Sequence, residues 1–384
     1  MKSQRIFLTS LLSALFLSAS FYIAQSQDFY RAEGSDFFSL WLAPHLLLQG
    51  EDPFRADVWI PAHDAYGARW VSDSTFLYPL PLAVLLLPVG VFPLDIAAVI
   101  WVLLSLAAIL WVTWRLITSW QREKALSYLL PALAGILLFR PTFLTLLVGQ
   151  IEILLLLCLA GTAWLWERGK WLWGGMLAAV VALKPQIGLP LLALLAVWLL
   201  ARRYWNGLVG MGLAALLLFG LGAVFDVGWV GRWLSIGQGK VSGVFGYSPT
   251  VWGLADTVCQ RQGVCTSILG GGFSIAVIAG CLWMILRRKS LRPLQVIGVV
   301  ISAALLVTPY LWAYTQVLLV IPILLVVEEL YRRKIPYLLV ATFPLAMAVL
   351  AFILLFVAVG LESDIWSAMV PLASLVLLGG LQSN

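Results

Sequence analysis

Long apolar runs separated by short polar connectors make up almost the whole chain. The runs fall at about 6–24, 77–114, 126–139, 150–166, 171–183, 187–200, 204–224, 267–286, 293–307, 314–327, 337–358 and 365–381. Their lengths and composition predict an all-α polytopic bundle of about 12 spans. Several runs are shorter than the roughly 20 residues that a straight crossing needs, so tilted, kinked or incomplete helices are expected. The run 77–114 is long enough for two segments. Pro88 and Pro93 break it, and whether it crosses once or twice stays open.

Five connectors are basic: "RLITSWQREK", "WERGKW", "ARRYW", "LRRKSLR" and "LYRRK". Placed together in the cytoplasm they set a consistent topology, with both termini inside. Lys2 and Arg5 ahead of the first run fit an uncleaved first helix. The outer side then holds the first loop, 25–76, which carries eight of the 18 acidic residues, and a second large loop, 225–266. The stretch "FFSLWLAPHLLL" in the first loop is apolar enough to lie on the membrane surface as an interfacial helix. No soluble domain is apparent, so residues 1–384 are read as a single integral membrane domain.

Composition removes the soluble alternatives. Of 384 residues, 62% are hydrophobic and 11% charged, with a mean hydropathy of +0.98; soluble domains carry about 25% charged residues. The net charge of +6 is distributed as topology signals, so nucleic acid is not an expected partner. Cys158 and Cys281 fall in apolar runs as packing residues. Cys259 and Cys265 fall in the second outer loop, where a disulfide is permitted, and sequence leaves the bridge open.

The usual signatures of pumps, proteases and redox carriers are missing. There is no phosphate-binding Gly-rich loop ending in Lys-Ser/Thr, no HExxH, no CxxC, no GxSxG and no Asp-x-Asp. Glu152 is the sole carboxylate near a span interior; its plainest reading is a residue at the outer end of a span, touching water.

Four ordered blocks carry a resemblance: "SDFFSLWLAPHLLLQGEDPF" followed by "TFLYPLPLAVLLLPVGVFP"; "LLVGQIEILLLLCLAGTAWLWERGKWLWGGMLAAVVALKPQ"; "RRYW"; and "TPYLWAYTQVLLVIPIL". From about residue 30 to 330 they resemble glycosyltransferase family 87, membrane enzymes of GT-C type that use polyprenyl-phosphate sugars and include mannosyltransferases. The resemblance implies an Asp base in the first outer loop, the place of Asp36. It implies a Gly-Gln pair before a span, Gly149 and Gln150, and a Lys-Pro at an outer helix end, Lys184 and Pro185. The chain departs from the pattern in two places: Glu152 stands where Asn is frequent, and Tyr314 and Gln316 stand where His or Asp is frequent.

That implied chemistry can be weighed against the residues. A polyprenyl-phosphate sugar needs cations at headgroup height. Arg140, Lys184 and Arg232 lie at outer span ends, against the positive-inside trend. Each is a candidate phosphate contact, with snorkelling to lipid headgroups as the plain alternative. Asp36 is ionised at neutral pH from its reference pKa of about 3.9 and can accept a proton; as the residue before a helix it is equally a candidate cap. Gln150, Glu152, Tyr310 and Trp312 are candidates for the sugar and acceptor cavity. No cofactor is expected, and a divalent metal stays open. The leading reading is an inverting glycosyltransferase of the cell membrane that acts on its outer side, transferring a hexose, with mannose first, from a polyprenyl-phosphate donor to a lipid or glycan acceptor. A flippase of lipid-linked saccharide and a surface-polysaccharide polymerase or ligase are the alternatives.

Overall fold

The computed structural model describes residues 32–69, 73–120, 125–237 and 247–381. The first expected span, 6–24, lies outside them. Among the described residues all regular structure is helical.

Among the described residues, five helices are long and apolar enough to cross a membrane: Leu94–Trp120, Trp205–Phe225, Gly263–Arg287, Ala313–Arg332 and Tyr337–Gly360. A sixth crossing is counted if Leu126–Leu138 and Arg140–Val148, bent by 64°, act as one. This makes the chain a membrane protein; among the described residues, where 11 of the 12 expected spans fall, five or six are long enough to cross. The remaining described runs do form helices, but short ones: Glu152–Glu167 has 16 residues, and Trp171–Leu183, Pro185–Ala201, Pro293–Val307 and Ile365–Gly380 have 10–17 each. Apolarity marked each of them, but the number of residues decides whether a helix reaches across. In the stretch 77–114, two short helices, Leu80–Leu85 and Leu87–Gly90, precede the 27-residue helix that starts at Leu94.

Four of the long helices line the outside, while the short Pro293–Val307 and the largely buried Ala313–Arg332 fill the middle. Pro293–Val307 is buried at Leu294 and from Val296 to Val307. It packs on Glu152–Glu167, Pro185–Ala201 and Gly263–Arg287. Behind it, Ala313–Leu319 runs as a 3-10 helix into Val320–Arg332, almost wholly buried. By contrast, Leu216, Leu217 and Val224 of Trp205–Phe225 are exposed at the periphery, as lipid-facing residues should be. Trp205–Phe225 is held to Trp171–Ala179 by a close crossing. A Cβ on Gly175 would lie 2.0 Å from the Gly207 carbonyl oxygen, and one on Gly210 would lie 2.0 Å from that of Leu172. Small residues let two backbones approach this far.

The expected surface helix forms at Phe37–Leu48, but not on the surface. Nine of its residues are buried, with Leu40, Leu42 and Ala43 fully so. It packs against Leu80–Leu85, Leu87–Gly90 and Leu94–Trp120. The Trp41 indole donates to the Phe92 carbonyl at 2.8 Å, and a Cβ on Gly90 would lie 2.8 Å from the His45 nitrogen. A helix lying on a membrane needs one polar face. This one is apolar all round, and such a helix is buried. Beyond its end the chain turns, and Asp52 accepts from the Phe54 amide just after Pro53. In the second loop, Cys259 and Cys265 form a disulfide between the helices Val251–Val258 and Gly263–Arg287.

Candidate active site

Asp36 precedes the first turn of Phe37–Leu48, yet its side chain does not cap it. Instead, Asp36 Oδ2 accepts from Gln150 Nε2 at 2.6 Å. The contact exists because of Gly149. This residue ends Arg140–Val148 in the left-handed conformation, φ +71°, and a Cβ there would lie 2.5 Å from the Cβ of Phe37. Glycine alone tolerates both the angle and the approach. The hinge therefore lies directly on the residue after Asp36, with Gln150 at the carboxylate.

Gln150 is 4% exposed and extends the network. Its Oε1 accepts from the Tyr78 hydroxyl at 2.7 Å. Its Nε2 also donates to the Tyr314 hydroxyl at 3.3 Å. Two residues on, Glu152 opens the next helix, where the positive end of the helix dipole favours an anion. It is fully buried. Glu152 Oε1 accepts from the Lys184 ammonium and, at 2.8 Å, from the Thr315 hydroxyl. Glu152 Oε2 has no partner among the described residues. Lys184 sits between the 3-10 turn Val180–Leu183 and the helix Pro185–Ala201, 2% exposed, with its ammonium 4.9 Å from the centre of the Tyr314 ring.

Five segments distant in sequence thus meet at one polar network inside an apolar bundle. At its rim Asp36 keeps an edge open to water. Crowding by surrounding atoms pushes its carboxyl above the usual range. The Gln150 bond and the Lys184 charge pull it back down, while Glu152 and Asp73 push it up.

The other expected residues fall outside this group. Arg140 makes a bidentate pair with Asp364, at 2.8 and 3.0 Å, and reaches Ser367 at 3.2 Å. It stands one step from the network, because Gln316 donates to the Ser367 carbonyl and Thr145 to the Tyr314 carbonyl. Arg232 joins Asp52 and Asp226, tying the turn after Phe37–Leu48 to the end of Trp205–Phe225. Tyr310 is half-buried and close enough to Asp73 for that charge, after burial, to raise its phenol pKa. Trp312 is 46% exposed. Tyr78, Thr315 and Asp364 were not candidates from sequence. No spacing in the sequence linked Tyr78 to Gln150 or Asp364 to Arg140. No three His, Cys, Asp or Glu side chains gather as metal ligands among the described residues.

The family model of glycosyltransferase family 87 matches residues 76–309. The chain belongs to glycosyltransferase family 87. As a family 87 member it is an enzyme, a glycosyltransferase that takes a sugar from a donor to an acceptor. No curated protein and no solved structure matches the chain. The matched stretch contains Tyr78, Gln150, Glu152 and Lys184. Asp36 and Tyr314 lie beyond its ends, so the network joins the family stretch to both flanks.

Proposed function

We propose that this family 87 enzyme is an inverting membrane transferase of GT-C type. It moves a hexose, with mannose the first candidate, from a polyprenyl phosphate to a hydroxyl of a lipid or glycan acceptor, with Asp36 as general base. One observation carries this reading: a solvent-touching carboxylate is held by a buried polar network in an otherwise apolar chain. Asp36 takes the proton from the acceptor hydroxyl. That oxygen bonds the anomeric carbon, the bond from carbon to phosphate oxygen breaks, and the polyprenyl phosphate leaves with the electron pair. Attack from the face opposite the phosphate inverts the centre.

Lys184 and Arg140 supply positive charge near the leaving phosphate. Both already hold carboxylates, so the phosphate shares its cation with Glu152 or Asp364. We assign Arg232 to the clasp between loops and not to the donor. Tyr310 and Trp312 frame the acceptor side. The reaction is placed on the extracytoplasmic face, the side of 25–76 and 225–266, with both termini in the cytoplasm.

The test is transfer from radiolabelled polyprenyl-phosphate hexoses to total membrane lipid by the purified protein. Asp36→Asn keeps the shape but removes the base, and should lower turnover by about 10² or more. Asp28→Asn in the same loop serves as the control and should be mild. An Asp36→Asn variant near wild-type turnover overturns the assignment. No transfer from any donor, with lipid-linked saccharide crossing vesicles instead, favours a flippase.

A further inference from the structure

We propose that Gln150 and Tyr78 are positioning residues, which together fix the Asp36 carboxylate so that Oδ1 is the oxygen that faces the acceptor. The role rests on Asp36 being the base. From sequence, Gln150 was a candidate for the sugar cavity, but the structure leaves it little capacity for that. A primary amide has two N–H donors. Here one goes to Asp36 Oδ2 and the other to the Tyr314 hydroxyl. With both donors taken and 4% of the residue exposed, the amide is a support and not a sugar ligand.

Tyr78 sets the direction of that support. Its hydroxyl donates to Gln150 Oε1 at 2.7 Å. Turning the amide over would bring Oε1 against Asp36 Oδ2, two acceptors at 2.6 Å with no hydrogen between them. The Tyr78 bond favours the other orientation, with Nε2 on the carboxylate. Among the described residues, Oδ2 takes the Gln150 bond and Oδ1 takes none. A base held through one oxygen presents the other in a fixed direction, and positioning of this kind contributes to rate without any contact with substrate. Tyr78 comes from the segment ahead of Leu80–Leu85 and Gln150 from the hinge at Gly149, so two separate elements hold the carboxylate. The other charged groups facing Asp36 are Lys184, Glu152 and Asp73; none of them changes in the variants below.

The test uses the full-length purified protein and needs no substrate for its first arm. Difference infrared spectroscopy follows the C=O band of the protonated Asp36 carboxyl during a pH titration, with Asp36→Asn identifying the band. Gln150→Ala removes a donor to the ionised form, so the midpoint should rise by about one pH unit. Tyr78→Phe removes one oxygen and loosens the amide, so the midpoint should rise by less. In the transfer assay both variants should lower kcat, on the order of 10-fold, with KM unchanged. Should Gln150→Ala fail to fold, Tyr78→Phe carries both arms. Unmoved midpoints in the folded variants overturn the proposal, and so does a raised KM at constant kcat, which would make Gln150 a substrate ligand. The two readings separate cleanly. Asp36→Asn at wild-type turnover removes the base whatever the midpoints do. Unmoved midpoints beside an inactive Asp36→Asn remove only the positioning role.

Discussion

At the scale of single residues, the pair of Lys184 and Glu152 changes what a substitution means. From sequence, Lys184→Ala should weaken donor use and leave the fold intact. The structure places the ammonium on a fully buried carboxylate. Removing one member of such a pair strands the other, at a cost of about 3–5 kcal/mol. Lys184→Ala is therefore expected to lower the melting temperature in detergent, and Glu152→Gln added to it should recover much of the loss. If the single variant melts like the wild type, Lys184 does not stabilise the fold through Glu152. The sequence showed Glu152 as a departure from the family pattern and Lys184 as an outlying cation. Neither feature revealed that they meet, because 32 positions separate them and pairing depends on how two short helices are stacked. Asp36 was legible from its place before a helix, but the expected cap was not formed. Its carboxylate went to a partner 114 positions away.

At the scale of elements, helices were legible and their lengths and surroundings less so. Phe37–Leu48 lacked the polar face that marks a surface helix, and that absence was the available sign of its burial. The hinge at Gly149 is the element on which the site depends. Gly149→Ala should strain a backbone at φ +71° and push Phe37, with Asp36 beside it, away from Gln150. The expected result is a turnover loss on the order of 10-fold. Gly169→Ala is the matched control. Its φ is +72°, but nothing lies within 4 Å of an added Cβ, so only the backbone cost of about 1 kcal/mol should appear. Equal loss of turnover in both variants would mean that the approach to Phe37 does not matter.

At the scale of the whole molecule, the proposed sidedness has a direct check. A cysteine at Ser35 should react with an impermeant thiol reagent in intact cells, and one at Ser290 in the basic connector 286–292 should not. Labelling of both from outside overturns the topology and the outward placement of Asp36. The arrangement of long helices around short ones has a further consequence. Trp205–Phe225, the shortest of the lipid-exposed crossings at 21 residues, reaches about 32 Å, and the buried Pro293–Val307 of 15 residues only about 22 Å. Lipid of changing acyl length presses on the outer ring, where mismatch is absorbed by tilt. The centre meets protein on every side. In vesicles of graded thickness the melting temperature should therefore vary while kcat stays nearly constant, so the same catalytic centre would serve membranes of quite different lipid composition.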